Sequence, residues 1–221
     1  MRALILIASL LVSIYPAASA EPGWRPLFNG RDLSGWGQVG EGHFIVEGGM
    51  LKTLGGMGLL WYTKEKIGDA VIRVRFRRTH PKDDSGVFIR IPDKPADAWG
   101  PVNHGYEVEI GDWPDDYSCT GVLYSLTRAL ARPEKTAGEW NTMEITLAGP
   151  RTIVVVNGTK VTDYEEGQAV PPKKHNYEPD RGRRPHFGYI GLQNHAEGSA
   201  VYFREVSLRP LTASELEGFH R

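Results

Sequence analysis

The sequence predicts an all-β protein built as an antiparallel sandwich. Apolar residues recur with period two in short runs, and Gly, Pro, Asn and Asp punctuate those runs. The helix–strand alternation that builds parallel sheets is absent. A chain of 221 residues, 40% hydrophobic and 24% charged, is long enough to bury one sizeable core. The net charge of −1 supplies no basic field for nucleic acid. One cysteine, Cys119, excludes an internal disulfide framework and a cysteine-cluster metal site.

The N-terminal segment reads as a leader. Arg2 precedes the apolar run Ala3 to Ile14, Pro16 breaks it, and Ala18-Ser19-Ala20 forms a small-residue cleavage signal before Glu21. Residues 1–20 are expected to be a signal peptide, too short for a comfortable membrane span. The product is expected to be secreted or periplasmic, with no membrane contact once the leader is removed. No cysteine follows the apolar run, which argues against a lipoprotein anchor. The domain is expected to occupy residues 21–211, with a tail over 212–221.

Phe44-Ile45-Val46 and Met50-Leu51-Lys52 flank Glu47-Gly48-Gly49 and predict a hairpin. Ala70 to Arg77 alternates strictly, Ile72, Val74 and Phe76 against Arg73, Arg75 and Arg77, as a half-buried strand does. Val87 to Ile91 follows the turn cluster Asp83-Asp84-Ser85-Gly86, and Tyr106 to Ile110 alternates again. Thr120 to Ser125 is a further strand candidate, and Trp140 to Leu147 ends before Gly149-Pro150. Thr152 to Val156 and Thr159 to Thr162 around Asn157-Gly158 give the strongest hairpin signal in the chain. Tyr189 to Gln193 and Ala200 to Leu208 complete about ten strands. Thr212 to Phe219 is a short helical stretch, and Pro171 to Pro185 reads as a long surface loop, either solvated or at the rim of a site.

Period-two alternation assigns side chains to faces. With Tyr106, Val108 and Ile110 toward the core, Glu107 and Glu109 share the opposite face. The same rule puts Phe88 and Arg90 opposite Val87 and Ile89, and Gln193 and His195 opposite Ile190 and Leu192. If these strands are neighbours, carboxylates, an arginine, an imidazole, an amide and an aromatic converge on one surface, which is a binding-site pattern. Each residue alone equally suits an ordinary polar sheet face. Glu107, Glu109 and Asp112 are spaced i, i+2, i+5, and a bend at Gly111 would bring Asp112 to the same side. Paired carboxyls suit glycosidic-bond chemistry. The spacing resembles the Glu-x-Asp-x-x-Glu strand motif of jelly-roll retaining glucanases (glycoside hydrolase family 16), with the identities of the middle and last residues exchanged.

The chain also resembles, from end to end, the 3-keto-disaccharide hydrolase family, or domain of unknown function 1080. The matching stretches are Leu27 to Trp36, Asp84 to Arg90, Gly105 to Ile110, Thr120 to Tyr124, Gly138 to Asn141, Asn157-Gly158 and Gly188 to His195. The resemblance implies a concanavalin A-like jelly-roll sandwich of two antiparallel sheets. It implies cleavage of glycosides already oxidised to a ketone at C3 of the sugar, where the carbonyl acidifies the C2 proton. By position, Glu107 matches the family's Glu in its Tyr-Glu strand, Asp112 the acidic residue closing that stretch, and Arg90 and His195 the ends of their motifs. Glu109 departs from the family, in which Gln is frequent. The implied catalytic set is Glu107, His195 and Asp112, with His195 as base and Glu107 or Asp112 as acid, or the reverse. Arg90, Glu109, Gln193, Phe88 and Tyr124 are the implied substrate contacts. Glu107 and His195 are expected to lie close together across neighbouring strands, and Cys119 to be buried and inert.

Two other functions fit the same residues. One is an ordinary retaining glycosidase. The other is a non-catalytic carbohydrate-binding module in which Trp61, Trp99 and Trp113 stack on sugar rings. No organic cofactor is implied. Asp83, Asp84, Asp112, Asp115 and Asp116 are oxygen ligands of the type Ca²⁺ takes, although turn aspartates more often cap turns. The expected partner is a carbohydrate, and the oligomeric state is left open.

Overall fold

Thirteen strands and two short helices follow one another along residues 21–219, the part of the chain that the computed structural model describes. The leader read in residues 1–20 lies outside the described residues. In chain order the first six strands are β1 (Arg25–Pro26), β2 (Trp36–Gly40), β3 (His43–Glu47), β4 (Met50–Leu54), β5 (Gly58–Tyr62) and β6 (Ala70–Arg78). Then come β7 (Ser85–Ile91), helix α1 (Trp99–His104), β8 (Tyr106–Ile110), β9 (Asn141–Ala148), β10 (Arg151–Val156) and β11 (Thr159–Glu165). The chain closes with β12 (Tyr189–Asn194), β13 (Val201–Pro210) and helix α2 (Ala213–Phe219).

All strand pairs are antiparallel and form two sheets. The eight-stranded sheet runs β11-β10-β9-β6-β13-β4-β3, with β1 paired to β13; the five-stranded sheet runs β2-β5-β12-β7-β8. The core lies between them. Ile72, Val74 and Phe76 of β6 and Met143, Ile145 and Leu147 of β9 meet Val87, Val108, Ile190 and Leu192 from the other sheet. Arg73, Arg75 and Arg77 alternate with that core set and point away from it. Arg73 lies over the Trp24 ring and Arg77 over Trp140.

Local chemistry sets the turns. Asn157 (φ 49°) and Gly158 (φ 82°) both take positive φ, as a two-residue turn between twisted strands requires, and join β10 to β11. Thr212 caps α2 reciprocally: its backbone N–H donates to Glu215 Oε2 (2.8 Å), and the Glu215 N–H donates to Thr212 Oγ1 (3.3 Å).

Some expectations need correction. Thr120 to Ser125 is not a regular strand. It lies along β8 in irregular fashion, its N–H groups of Gly121 and Tyr124 donating to the carbonyls of Glu109 and Glu107. Positive φ at Gly121 (93°) and Ser125 (62°) breaks a continuous ladder. Strands β2 and β5 and helix α1 were not anticipated. Helix α1 covers a second apolar cluster on the outer face of the five-stranded sheet, built from Leu59, Phe88, Ile91, Ala98 and Val102. No helix among the described residues is long and apolar enough to cross a membrane.

Candidate active site

The register of β7 on β8 decides which groups meet. Gly86 is opposite Glu109, and Phe88 is opposite Glu107. Strand β12 pairs with the other side of β7, Gly191 opposite Phe88, so Gln193 falls on the same outer face. Both glutamates need glycine neighbours. A Cβ on Gly86 would lie 2.5 Å from Glu107 Oε1, and one on Gly111 would lie 2.9 Å from Glu109 Oε1. The two acids are therefore laid flat across bare backbone at the end of the sheet.

There they line a pocket of about 480 Å³ together with Asp84, Gln193, His195 and Tyr124. Trp99 of α1 (52% exposed) and Trp113 (39% exposed) stand at its walls, with Tyr177 from the long loop. The size is that of a small-molecule site, and the polar groups converge on one side of it.

Asp84 organises the pocket. Trp113 Nε1 donates to its Oδ2 at 3.0 Å, and His195 Nδ1 lies 3.9 Å from the same oxygen. The Asp84 backbone N–H donates to Ser199 Oγ at 2.8 Å, which fixes the turn before β7. Burial holds Glu107 well above the usual carboxylate range, reinforced by the neighbouring Asp84 charge, with the Gln193 side chain pulling the other way. Burial also holds Glu109 high, followed by the charges of Asp84 and Glu107 and by a hydrogen bond to Asp84. Asp84 is raised by burial too, but His195, Glu109 and Trp113 favour its ionised form. The arrangement is Asp84 beside an imidazole, flanked by two buried glutamates whose carboxyls burial holds well above the usual range. Burial likewise keeps Tyr124 as a phenol, hence a hydrogen-bond donor. Gln193 is buried, and its Oε1 accepts no hydrogen bond from the protein.

Of the residues singled out from the sequence, Glu107, Glu109, Gln193, His195 and Tyr124 come together in this pocket. Three of the expected catalytic and substrate residues do not line it. Arg90 was expected on the outer face beside Phe88, but it is fully buried between the sheets. Strand β7 carries one extra residue between the pairs Phe88–Gly191 and Ile91–Tyr189, and Arg90 sits in this bulge with φ 55°. The bulge reverses its face. Its guanidinium donates to the carbonyls of Pro185 (3.0 Å) and Gly149 (2.9 Å), so it is no substrate contact. Phe88 does face outward but lies under α1 in the second apolar cluster. Asp112 is exposed and bridges to Cys119 through its backbone; the bend at Gly111 does not deliver it to the pocket.

The expected Glu107–His195 contact is also revised. Strand β7 separates β8 from β12, and the carboxylate beside His195 is Asp84. Alternation carried back four residues from Phe88, through Gly86, would have placed Asp84 on this face. Trp61 packs edge-to-face on Tyr189 (5.1 Å) instead of lining the pocket. Cys119 is buried, and burial pushes its thiol up. The calcium expectation gains no support from geometry. Asp83 caps Thr79 and His80, Asp116 pairs with Arg128 and Arg132, and no metal-holding cluster of three His, Cys, Asp or Glu occurs among the described residues.

The fold and the pocket define a lectin-like jelly-roll sandwich with an acid-lined cleft on its smaller sheet. The chain belongs to the 3-keto-alpha-glucoside-1,2-lyase-like domain family, which matches residues 23–209. Among solved structures it is similar to a protein of Parabacteroides distasonis provisionally named a glycosyl hydrolase, with 24% identity, a TM-score of 0.70, and coverage of 85% of this chain and 99% of that one. It is also similar to a Bacillus subtilis protein described as having a galectin-like fold, with 12% identity, a TM-score of 0.61, and coverage of 84% and 94%. A third likeness is to the carbohydrate-binding module CBM66 of Bacillus subtilis, with 14% identity, a TM-score of 0.53, and coverage of 79% and 95%. No curated protein matches the chain.

Proposed function

We propose that the protein cleaves glycosides whose sugar carries a ketone at C3, by elimination across C1 and C2 followed by addition of water. The observation that carries this reading is the pocket itself, where His195 beside Asp84 shares one lining with the buried carboxyls of Glu107 and Glu109 and with Tyr124. Elimination needs that combination: a base for the C2 proton, an acid for the departing oxygen and a donor to the enolate. His195, oriented by Asp84, removes the proton from C2. The C–H electron pair forms a C2–C3 double bond, and the charge moves to the C3 oxygen, to which the Tyr124 phenol donates. The enolate then collapses, restoring the C3 carbonyl and forming a C1–C2 double bond as the C1–O bond breaks. Glu107 gives its proton to the leaving oxygen. Water adding at C1, with a proton returned to C2, completes a net hydrolysis.

The family supports the substrate class, and burial that raises both glutamates disfavours the ionised nucleophile that a retaining glycosidase needs. The exposed Trp99 and Trp113 support the second reading, a carbohydrate-binding module. One experiment separates them: incubation with a 3-keto-disaccharide and with its unoxidised parent. Turnover of the ketone alone is the expected result. Turnover of the parent points to a glycosidase, and binding without turnover to a module. Export belongs to the same proposal. An N-terminal sequence beginning at Glu21 in the secreted product is the expected outcome, and a retained leader overturns it.

A further inference from the structure

A second pocket of about 250 Å³ adjoins the first and shares Ser118, Tyr124 and Tyr177 with it. The proposed chemistry uses none of its remaining walls. His175 and Tyr177 both line it, their rings stacked with centroids 5.0 Å apart and planes 11° from parallel. Tyr177 is 51% exposed, and His175 is exposed as well. The segment that carries this pair is pinned. Glu178 is buried, and its Oε2 accepts from the Lys174 N–H (3.0 Å) and from Arg181 (2.9 Å). Arg181 reaches across to Ser125 Oγ (2.9 Å) and back to the carbonyl of Pro171 (2.8 Å). A stacked pair of rings presented to water on a fixed loop is a preorganised plate.

We propose that this pocket is the leaving-group subsite, where the second sugar ring of a disaccharide lies on Tyr177 while the oxidised ring occupies the acid-lined pocket. The inference rests on the function proposed above. Its direction follows from the shared wall: a disaccharide spans two rings, and Tyr124 and Tyr177 stand where the pockets meet. Its chemistry follows from the lining. A pyranose offers an apolar C–H face for an aromatic plate and hydroxyls at its edge, and Asp115, Ser125 and Lys174 line the same pocket with donors and acceptors. A flat aryl group would leave those polar groups unmatched.

The test compares three substrates that share the oxidised glucosyl ring: the 3-keto-disaccharide, methyl 3-keto-glucoside and phenyl 3-keto-glucoside. Tyr177→Ala is expected to lower kcat/KM for the disaccharide about threefold to tenfold more than for the methyl glycoside, with Tyr177→Phe restoring most of the difference. His175→Ala should shift the ratio in the same direction. Equal losses on disaccharide and methyl glycoside, or no loss on the disaccharide, overturn the subsite while leaving the function standing. A greater loss on the phenyl glycoside than on the disaccharide overturns the sugar assignment. If the wild-type protein turns over none of the three, the functional reading fails instead. Calorimetric affinity for the disaccharide, compared between wild type and Tyr177→Ala, then decides the subsite by itself, with a matched affinity overturning it.

Discussion

At the scale of single residues, the proposed reaction rests on His195 and Glu107, which line the same pocket. If they act as base and acid, His195→Ala and Glu107→Gln should each lower kcat about 10²–10⁴-fold on a 3-keto-disaccharide. Both variants should keep the wild-type circular dichroism spectrum. A folded Glu107→Gln protein with unchanged kcat would remove Glu107 from the reaction. The sequence showed Glu107, Glu109, Gln193 and His195 because each lies on a run whose opposite residues are plainly apolar. Arg90 was misplaced because a bulge inserts one residue without any compositional mark; Arg90 occupies a positive-φ position that Gly or Asn fills more often. Asp84 was read as a turn residue since it sits next to Asp83, Ser85 and Gly86, and only carrying the alternation through the turn brings it to the pocket. Tyr177 carried no signal, being one polar-loop aromatic among lysines and prolines; its role depends on a fold of the loop that nothing local encodes.

At the scale of elements, the site depends on two glycines beside its acids, Gly86 on β7 and Gly111 just past the end of β8. Gly86 on β7 gives the Glu107 side chain its bed, so Gly86→Ala should act as a catalytic lesion more than a structural one. The expected outcome is a fall in kcat comparable to that of Glu107→Gln, with the thermal midpoint lowered by less than about 4 °C, the shift for ~1 kcal/mol in a chain of this size. Wild-type activity in a folded Gly86→Ala protein would show that Glu107 has room to turn elsewhere. The elements legible in advance were those whose residues alternate in polarity or are bounded by turn residues, such as β6 and the β10–β11 hairpin; β8 alternates too, although the face that carries its glutamates is buried. Strand β5, Gly-Leu-Leu-Trp-Tyr, was missed because both its faces are covered. Leu60 enters the main core, while Leu59 packs in the cluster under α1, so period-two contrast vanishes. Strand β2 was missed because its two glycines dilute the pattern.

At the scale of the whole molecule, the acid cluster ties stability to pH. Glu107 and Glu109 are raised in the folded state, so between the unfolded and folded titrations the folded chain binds more protons. Their contribution is fully present below the unfolded value, about pH 4, and is lost as pH rises through the folded values. Stability attributable to these groups should therefore fall from mildly acidic toward alkaline pH. Glu109→Gln should flatten that slope, measured by urea unfolding at several pH values. An unchanged slope would mean that Glu109 is ionised in the folded protein. The two-sheet architecture was legible as a whole, since turn spacing and alternation are properties of the entire chain, whereas strand order was not, because pairing partners lie far apart in sequence. Arg90 belongs to this scale as well. One guanidinium links β7 of the smaller sheet to Arg151 at the start of β10 and Gly149 in the turn before it, and to Pro185 at the end of the long loop. The two sheets cannot part at that end without first breaking the hydrogen bonds of a buried charge before water can replace them, so the first opening movement there is expensive, and the cost is expected to fall on the rate of unfolding. Replacing Arg90 by Met should speed unfolding and proteolytic cleavage on the order of tenfold or more while leaving KM unchanged. A residue with the composition of a substrate clamp thus acts as a lock on the lifetime of the native state.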